Sequence, residues 1–417
     1  MRRIITVSSG KGGVGKTTFA TNFALTLSRV APTVLIDLDT GTSSVRNTLD
    51  TPVQRDLYHF FRRDAKLRDC LSTLDPRLDP DGLYSGFAFI AAPRHAIDEI
   101  TNLSDAARWR LVHAINELPA TFVVLDLRAG LDANVIDFLP LSNSGILVFT
   151  PHHPAATLAA GDIVKSLLFR KLRFIFAEDS PFYDHIGDRK LHRVINELLD
   201  QVEDVYEDRL PNLDAFLKDL LSSLGANPYL NIIAEVVNSF GVYFVLNMFS
   251  GVEESYEKAI RPFAEYLTTF VSSRLRLTNL GWVVHDPRIH EANCERRPIL
   301  LQPARAAKER TVDRALEELT RLESSVLGLP EVPAPRRPTR WEDEIVRLDG
   351  HSLIERQLEI FNRMYRTTGQ MHVRDNFAYI AHRALHVVRS LPADSFGHPR
   401  LFTPFELFQE LFPGPGS

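Results

Sequence analysis

The amino-acid sequence predicts an α/β fold with a doubly wound, mostly parallel sheet. Short apolar runs bounded by turn residues recur up to residue 286, as is typical of buried parallel strands. Helical patterns lie between these runs, such as the stripe of Phe19, Phe23 and Leu27, and such alternation produces a parallel sheet covered on both faces. The predicted strands span residues 4–9, 33–39, 87–92, 121–127, 145–150, 242–249 and 280–286.

Two regions depart from this alternation. Residues 168–238 show no convincing strand pattern, and helical stretches around 189–206, 213–224 and 228–238 predict a helical insertion there. Four prolines interrupt the region 329–341, where they forbid helix and strand alike. We therefore expect a main domain over 1–328, a proline-rich linker over 329–341, and a helical C-terminal extension over 342–417.

The composition is that of a folded protein without a cysteine framework. The 417 residues are 44% hydrophobic, and the formal net charge of −5 argues against a surface devoted to nucleic acid. Cys70 and Cys294 lie far apart and form no CxxC pair, so neither a disulfide framework nor a cysteine metal site is indicated. The first apolar run is too short for a signal peptide and no later run approaches membrane-spanning length, so we expect a cytoplasmic protein.

The strongest motif follows the first predicted strand. It satisfies the pattern G-x-x-x-x-G-K-[ST], in which glycines let the backbone wrap phosphates and the following helix adds the positive end of its dipole. Lys16 should bridge the β- and γ-phosphates, Thr17 should place its hydroxyl on Mg²⁺, and Thr18 is a further candidate phosphate contact. The predicted ATP-binding loop consists of Gly10, Lys11, Gly12, Gly13, Val14, Gly15, Lys16, Thr17 and Thr18.

Lys11 makes the motif more specific. With it the loop reads KGGVGKTT, which resembles the deviant Walker A motif of the MinD/ParA family. Taken alone, this lysine could be only a counter-charge for the nucleotide. The resemblance covers residues 1 to about 320 and extends to VLIDLDTG (34–41), VVLDLRAG (123–130), FVLNM (244–248) and LGWVVHDPRIHEANCERRPIL (280–300). It implies that Lys11 contacts phosphates across a dimer interface and acts in catalysis with Lys16.

Carboxylates follow two of the predicted strands. Asp126 ends a buried apolar strand, where an unpaired carboxylate is costly unless it faces a cation, so a Walker B role in organising Mg²⁺ is expected. Gly130 follows at the spacing of a loop whose N–H approaches the γ-phosphate. The resemblance implies that Asp39 orients the attacking water and that Asp37 supports the magnesium site. For both, a helix cap or turn is the alternative.

The later strands supply two further candidates. Asn247 is similar to the family's adenine-reading asparagine, whose amide pairs with a donor and an acceptor on the base, and the alternative is a strand-end turn residue. Asp286 is similar to the segment that closes over the base. The segment Leu127-Arg128-Ala129 departs from the Thr-Pro-Ala that is common in relatives.

Other polar clusters favour ordinary roles. His152 and His153 lack accompanying carboxylates or cysteines at ligand spacing, so a solvated loop is expected rather than a metal site. A basic stretch opens the predicted insertion and could touch DNA phosphates, but acidic residues follow it directly and a solvated face is the simpler interpretation. This stretch consists of Arg170, Lys171, Arg173, Arg189, Lys190 and Arg193.

The resemblance implies an ATP-dependent dimerisation switch with slow hydrolysis, closest to the FlhG-like and MinD-like branch that places flagella, pili or division sites. The cofactors expected are ATP and Mg²⁺, with Thr17, Asp37 and Asp126 at the metal. One alternative is a nucleotide-gated scaffold whose hydrolysis is incidental. Another is a metal-cluster carrier, which needs a pair of interface cysteines that Cys70 and Cys294 do not supply.

The partners expected are a second copy of the chain and a protein bound through the insertion or the C-terminal helices. The tail LFTPFELFQELFPG (401–414) carries an aromatic stripe with acidic residues and no basic ones. Anionic headgroups would repel it, so docking onto protein is favoured over membrane association.

Overall fold

The computed structural model describes most of the chain. The residues it describes are 2–40, 44–140, 143–177, 193–197, 199–200, 211–225, 228–303, 350–368, 371–390 and 401. The predicted linker, nearly all of the aromatic tail and most of the predicted helix at 189–206 lie outside these ranges.

The sheet confirms the predicted fold class. Its order within the described residues is β3-β4-β2-β5-β1-β6-β7-β8, and each neighbouring pair is parallel except β3 with β4. All seven predicted strands are present, and the two-residue edge strand β3 is the one that the patterns missed. The strands are β1 (Arg3–Ser8), β2 (Thr33–Asp37), β3 (Ser72–Thr73), β4 (Phe87–Ile90), β5 (Phe122–Asp126), β6 (Asn143–Phe149), β7 (Gly241–Phe249) and β8 (Arg276–Val284).

Helices cover both faces of this sheet. The described helices are α1 (Lys16–Ser28), α2 (Ser44–Thr48), α3 (Leu57–Arg62), α4 (Asp98–Thr101), α5 (Asp105–Asn116), α6 (Ala133–Phe138), α7 (Pro154–Phe176), α8 (Leu213–Leu224), α9 (Pro228–Ser239), α10 (Val252–Ser255), α11 (Arg261–Phe270), α12 (Pro287–Cys294), α13 (Gly350–Thr368) and α14 (Val373–Ser390). A π-helical turn, Tyr256–Ile260, joins α10 to α11.

Two buried clusters show which helices share a face. One cluster joins the sheet to α1, α2 and α14, and the other joins it to α3, α5, α7, α8, α9, α11 and α13. Successive residues of β1 point to opposite clusters, since Ile4 belongs to one and Ile5 to the other. This alternation is what a strand buried on both faces requires.

The predicted insertion is helical where the structure describes it. Helices α8 and α9 lie within a residue of their predicted bounds, and no strand occurs among the described residues of 168–238. The side chain of Asn212 caps α8 by accepting from the Ala215 N–H at 2.9 Å, as asparagine does at helix starts.

The C-terminal helices α13 and α14 straddle the edge strand β8. Gln357 donates to the Leu277 carbonyl at 3.3 Å, Arg383 donates to the Asn279 carbonyl at 3.0 Å, and the Val284 N–H donates to Asn376 at 3.1 Å. Side chains from the two helices therefore satisfy main-chain groups on a strand edge that would otherwise be open to pairing.

Helix α14 also reaches the helix that follows the phosphate loop. The rings of Phe377 and Phe19 stack with centroids 6.2 Å apart. A Cβ on Gly281, whose φ is +142°, would lie 2.8 Å from Ile380, so glycine permits the close approach of helix to strand. Residues 373–390 thus complete the helical layer over α1 and β8.

A single described residue marks the path of the chain after α14. Leu401 is buried, and its N–H and C=O both pair with the side chain of Asn116 at 2.7 and 2.8 Å. This contact fixes the chain beside the C-terminal end of α5. No helix in the described part of the chain has the length and apolarity needed to cross a lipid bilayer.

Candidate functional site

The phosphate-loop motif forms an open backbone cradle between β1 and α1. Gly13 and Gly15 have φ values of +83° and +81°, which glycine adopts without the strain that a side chain would bring. A Cβ on Gly12 or Gly13 would meet nothing within 4 Å. The first turn of α1 has no side-chain cap at Gly15, so its N–H groups are available to an anion.

Gly10 allows a helix to pack directly on this loop. A Cβ on Gly10 would lie 2.4 Å from the carbonyl carbon of Ala159 and 2.5 Å from the nitrogen of Ala160. Helix α7 therefore approaches the loop more closely than any side chain at position 10 would permit. The same helix leads into the insertion.

Lys16 and Asp126 form a buried ion pair at the centre of the site. The Lys16 Nζ lies 2.5 Å from Asp126 Oδ1, with Lys16 6% exposed and Asp126 fully buried. Asp126 Oδ2 is buried and has no hydrogen-bond partner. Because an unsatisfied carboxylate oxygen is costly in the interior, this atom fits a site for a cation.

Asp37 lies beside Asp126 at the ends of two parallel strands. The two residues are register partners in β2 and β5. Burial, and secondly the charge of Asp126, raise the pKa of Asp37 to about 8. Its Oδ1 accepts from the Asp39 N–H at 3.1 Å, and its Oδ2 accepts from the Val45 N–H at 3.0 Å. Two carboxyl groups so placed need a shared positive charge, a proton or a metal ion to stay close.

These groups suit Mg²⁺ bound together with a nucleotide. The described residues contain no cluster of three or more His, Cys, Asp or Glu side chains arranged for a metal. Magnesium, however, is usually held by one or two carboxylates together with substrate phosphates. Asp126, Asp37 and the hydroxyl of Thr17 on the first turn of α1 match that requirement.

The remaining loop and switch residues surround the cradle. Thr18 Oγ1 accepts from the Asn293 side chain at 3.2 Å, and the Gly130 N–H donates to the Ser9 carbonyl at 2.8 Å. Gly130 has a φ of +100°. Lys11 is exposed and Asp39 is half-buried just beyond β2. The structure thus brings the predicted phosphate and metal residues to one edge of the sheet.

The two residues predicted at the base have other contacts in this structure. Asn247 donates from Nδ2 to the Val14 carbonyl at 2.7 Å. Asp286 caps α12 by accepting from the Arg288 N–H at 2.9 Å, and it pairs with the Arg288 guanidinium at 2.7 Å. That pair lowers the pKa of Asp286 below its usual range. Their roles toward a base stay predictions.

Sequence reasoning missed contacts around the site. Asn293 on α12 reaches Thr18, and His152 faces the Met248 carbonyl at 3.1 Å and the His285 ring at 5.9 Å between centroids. The sequence signal for Asn293 was weak, because the single asparagine stands in a polar helix with nothing to indicate its partner.

The basic stretch is partly engaged in ion pairs. Arg170 pairs with Asp137, and Arg173 pairs with Asp200 at 2.7 Å. Arg193 is exposed, whereas Arg189 and Lys190 lie outside the described residues. The pairs indicate a charge-balanced face, but Lys171 is buried in α7, so the expectation of a solvated face is wrong for that residue.

A family model decides the relationship. Residues 5–299 match the model described as the CobQ/CobB/MinD/ParA nucleotide binding domain. The chain belongs to this family. The match confirms the MinD/ParA resemblance carried by the phosphate loop and the segments after β2 and β5, and it runs from within β1 to beyond β8.

Several curated relatives of the MinD/ParA kind align with parts of the chain. The chloroplastic septum site-determining protein minD homolog of Arabidopsis thaliana is 33% identical over 177 residues, which are 40% of this chain and 50% of that protein. The septum site-determining protein MinD of Synechocystis is 31% identical over 183 residues, 42% and 66% of the two chains. The antiactivator FleN of Pseudomonas aeruginosa is 29% identical over 149 residues, 35% and 50%.

The chain spans about half the length of three septum site-determining relatives, among them the Arabidopsis thaliana protein. Among solved structures, the septum site-determining protein MinD of Pyrococcus horikoshii, complexed with Mg-ADP, is 17% identical. It aligns over 73% of this chain and 90% of its own, with a TM-score of 0.42.

Proposed function

We propose that this MinD/ParA family member is an ATP-binding, slowly ATP-hydrolysing dimerisation switch. The observation that carries the proposal is the buried pair of Lys16 with Asp126, whose second carboxylate oxygen has no hydrogen-bond partner at the foot of an open glycine cradle. A cradle for phosphates beside an unsatisfied carboxylate is the arrangement that a nucleotide with Mg²⁺ requires.

Each residue has a distinct part in this mechanism. The loop N–H groups and the Lys16 ammonium, which pairs with Asp126 in this structure, would hold the phosphates. Thr17, Asp37 and Asp126 would hold a metal ion, which when bound would supply positive charge against the phosphates. Asp39 would orient water for attack. The Gly130 N–H donates to the Ser9 carbonyl in this structure, so it would have to leave that carbonyl to reach the γ-phosphate. Lys11 is exposed on the loop, and it would contact the phosphates of the nucleotide that a second copy of the chain binds.

The output of such a switch is a change of assembly rather than a product. Relatives carry the names septum site-determining protein, antiactivator and flagellum site-determining protein. We therefore propose that this chain positions or partitions a cellular structure from the cytoplasm. Its partner would be a protein that binds the insertion or the C-terminal helices rather than nucleic acid or membrane.

Nucleotide-dependent assembly tests the proposal directly. Size-exclusion chromatography with light scattering should give a monomer with ADP and Mg²⁺ and a dimer with ATP and Mg²⁺, and phosphate release should be slow and require the metal. Chain that stays monomeric with ATP while binding it would refute the dimerisation switch.

The proposed preference for a protein partner has its own test. A chain shortened to residues 1–400 loses Leu401 and its pairing with Asn116, together with the acidic aromatic tail. It should still bind ATP, and neither form should sediment with anionic liposomes. Sedimentation of the full-length chain that ATP strengthens and truncation abolishes would restore the membrane-bound alternative.

A further inference from the structure

Arg296 has a backbone conformation that ordinary side chains avoid. Its φ is +54°, two residues after the last residue of α12. Arg296 is the left-handed residue that ends α12, since the Arg297 N–H donates to the Ala292 carbonyl at 2.9 Å. Glycine is the usual residue at such a helix end because a Cβ strains this conformation. The arginine side chain makes contacts at this position that glycine would lack.

Those contacts lie at the C-terminal end of α2. The Arg296 guanidinium donates to the Arg46 carbonyl at 3.0 Å and to the Leu49 carbonyl at 3.4 Å, and it lies 3.2 Å from the Asp50 carboxylate. The Arg296 carbonyl accepts from the Asp50 N–H at 2.8 Å. A cation that binds the last carbonyls of a helix satisfies them and complements the helix dipole.

Asp37, one of the proposed metal ligands, fixes the other end of α2. The Val45 N–H donates to Asp37 Oδ2, and the Asp39 N–H donates to Asp37 Oδ1. Val45 and Leu49 are both fully buried in the same cluster as α1. Helix α2 is therefore held between Asp37 at its N-terminal end and Arg296 at its C-terminal end.

The segment that carries Arg296 also contacts the phosphate helix. Asn293, three residues earlier, donates to Thr18 Oγ1 at 3.2 Å. One short segment thus reaches the first turn of α1 through Asn293 and the end of α2 through Arg296. Helix α1 carries phosphate-binding residues, and α2 is joined to the end of β2 by the hydrogen bond from the Val45 N–H to Asp37.

We propose that Arg296 is a positioning residue. By holding α2, it keeps Asp37 and Asp39 in their places at the phosphate edge. This inference rests on the proposed ATPase function for its catalytic consequence. The hold of Arg296 on α2 does not depend on that function, since it rests on contacts within the chain.

Arg296→Gly separates positioning from simple structural support. Glycine relieves the backbone strain and keeps the carbonyl that accepts from Asp50, so the fold is retained while the guanidinium contacts are lost. In nucleotide-free protein, hydrogen exchange of the amides of residues 45–50 should rise about tenfold or more, the scale of losing a charged hydrogen bond. ATP affinity should stay near wild type, and turnover should fall about tenfold.

Matched variants sharpen the comparison. Arg363→Ala removes an exposed arginine that pairs with Glu359 on α13, far along the chain from α2, and should leave exchange at 45–50 and turnover unchanged. Arg296→Lys keeps one cation but loses the forked donors, so exchange should rise by an intermediate amount.

Each result tests a different part of the proposal. Wild-type exchange at 45–50 in Arg296→Gly would overturn the hold on α2, and raised exchange with wild-type turnover would overturn the positioning role. If the wild-type chain neither binds nor hydrolyses ATP, the proposed function fails, whereas the exchange measurement still decides whether Arg296 holds α2.

Discussion

The side-chain amide of Asn247, at the end of β7, donates a hydrogen bond to the main-chain carbonyl of Val14 in the phosphate loop at 2.7 Å. A Cβ on Gly15 would lie 2.3 Å from the same amide nitrogen. Strand β7 therefore fixes the conformation of the loop from the side opposite β5.

Asn247→Ala should weaken ATP binding because the loop loses this support and the Val14 carbonyl is left without its partner. A loss of about tenfold in affinity is expected from one buried hydrogen bond, measured by isothermal titration calorimetry. Asn102→Ala is the control, since Asn102 bonds to the exposed Asp98 on α4. Equal affinities for the two variants would exclude a role for Asn247 at the nucleotide.

Lys16→Ala and Lys11→Ala should fail at different steps. Lys16 is buried against Asp126 and Lys11 is exposed, so the first substitution removes the phosphate cation and leaves a buried carboxylate unpaired. Lys16→Ala should abolish nucleotide binding, whereas Lys11→Ala should bind ATP but not dimerise, as judged by light scattering. A Lys11→Ala protein that dimerises like wild type would show the cross-interface role to be wrong.

Asp39→Ala should bind ATP and accumulate as a long-lived dimer. The half-buried Asp39 contributes its main-chain N–H to Asp37, which the substitution preserves, while the carboxylate proposed to orient water is lost. Light scattering over time with ATP should show the dimer persisting. Asp81→Ala, an exposed aspartate in the loop before β4, should behave as wild type, and a monomeric Asp39→Ala protein in ATP contradicts the assignment.

The two cysteines should differ in reactivity toward maleimide. Burial, with smaller contributions from Asp56 and Asp69, raises the pKa of the Cys70 thiol to about 11, and Cys294 is exposed. Since the thiolate is the reactive form, Cys70 should react about a hundredfold more slowly than Cys294 at pH 8. The Cys70 rate should increase as the pH rises toward 11.

Intact-mass spectrometry after brief labelling should find one adduct, which Cys294→Ser removes. Both cysteines should label in guanidinium chloride. Rapid modification of Cys70 in the native protein would contradict its buried environment.

The centre of the site was predictable because it depends on rules that act along the chain. The carboxyl ends of parallel strands meet at one edge, which places Asp37 and Asp126 on the same edge of the sheet. The family resemblance assigned Asp37 to the metal, and the strand order makes the two residues neighbours. Lys16 follows from the glycine spacing of the loop. These residues need no knowledge of which helix packs where.

The contacts that support the site could not be predicted, because they depend on which helices pack together. The Arg296 guanidinium contacts the end of α2, and the sequence RRP gives no sign of that neighbour. The sequence predicted a helical C-terminal extension, but a helical pattern does not say which surface the helix covers. Strand β3 has only two residues, too few for a period to be seen.

The position of α14 has a consequence for how the chain is made. Helix α14 ends about a hundred residues after β8 does, and synthesis proceeds at about 5–20 residues per second. Strand β8 therefore leaves the ribosome about 5–20 seconds before the helix that covers it, and α1 leaves about 20–70 seconds before that helix. During that interval an unpaired strand edge and the Phe19 ring are open to chaperones or to other nascent chains, so the arrival of α14 protects the nucleotide-binding sheet from aggregation.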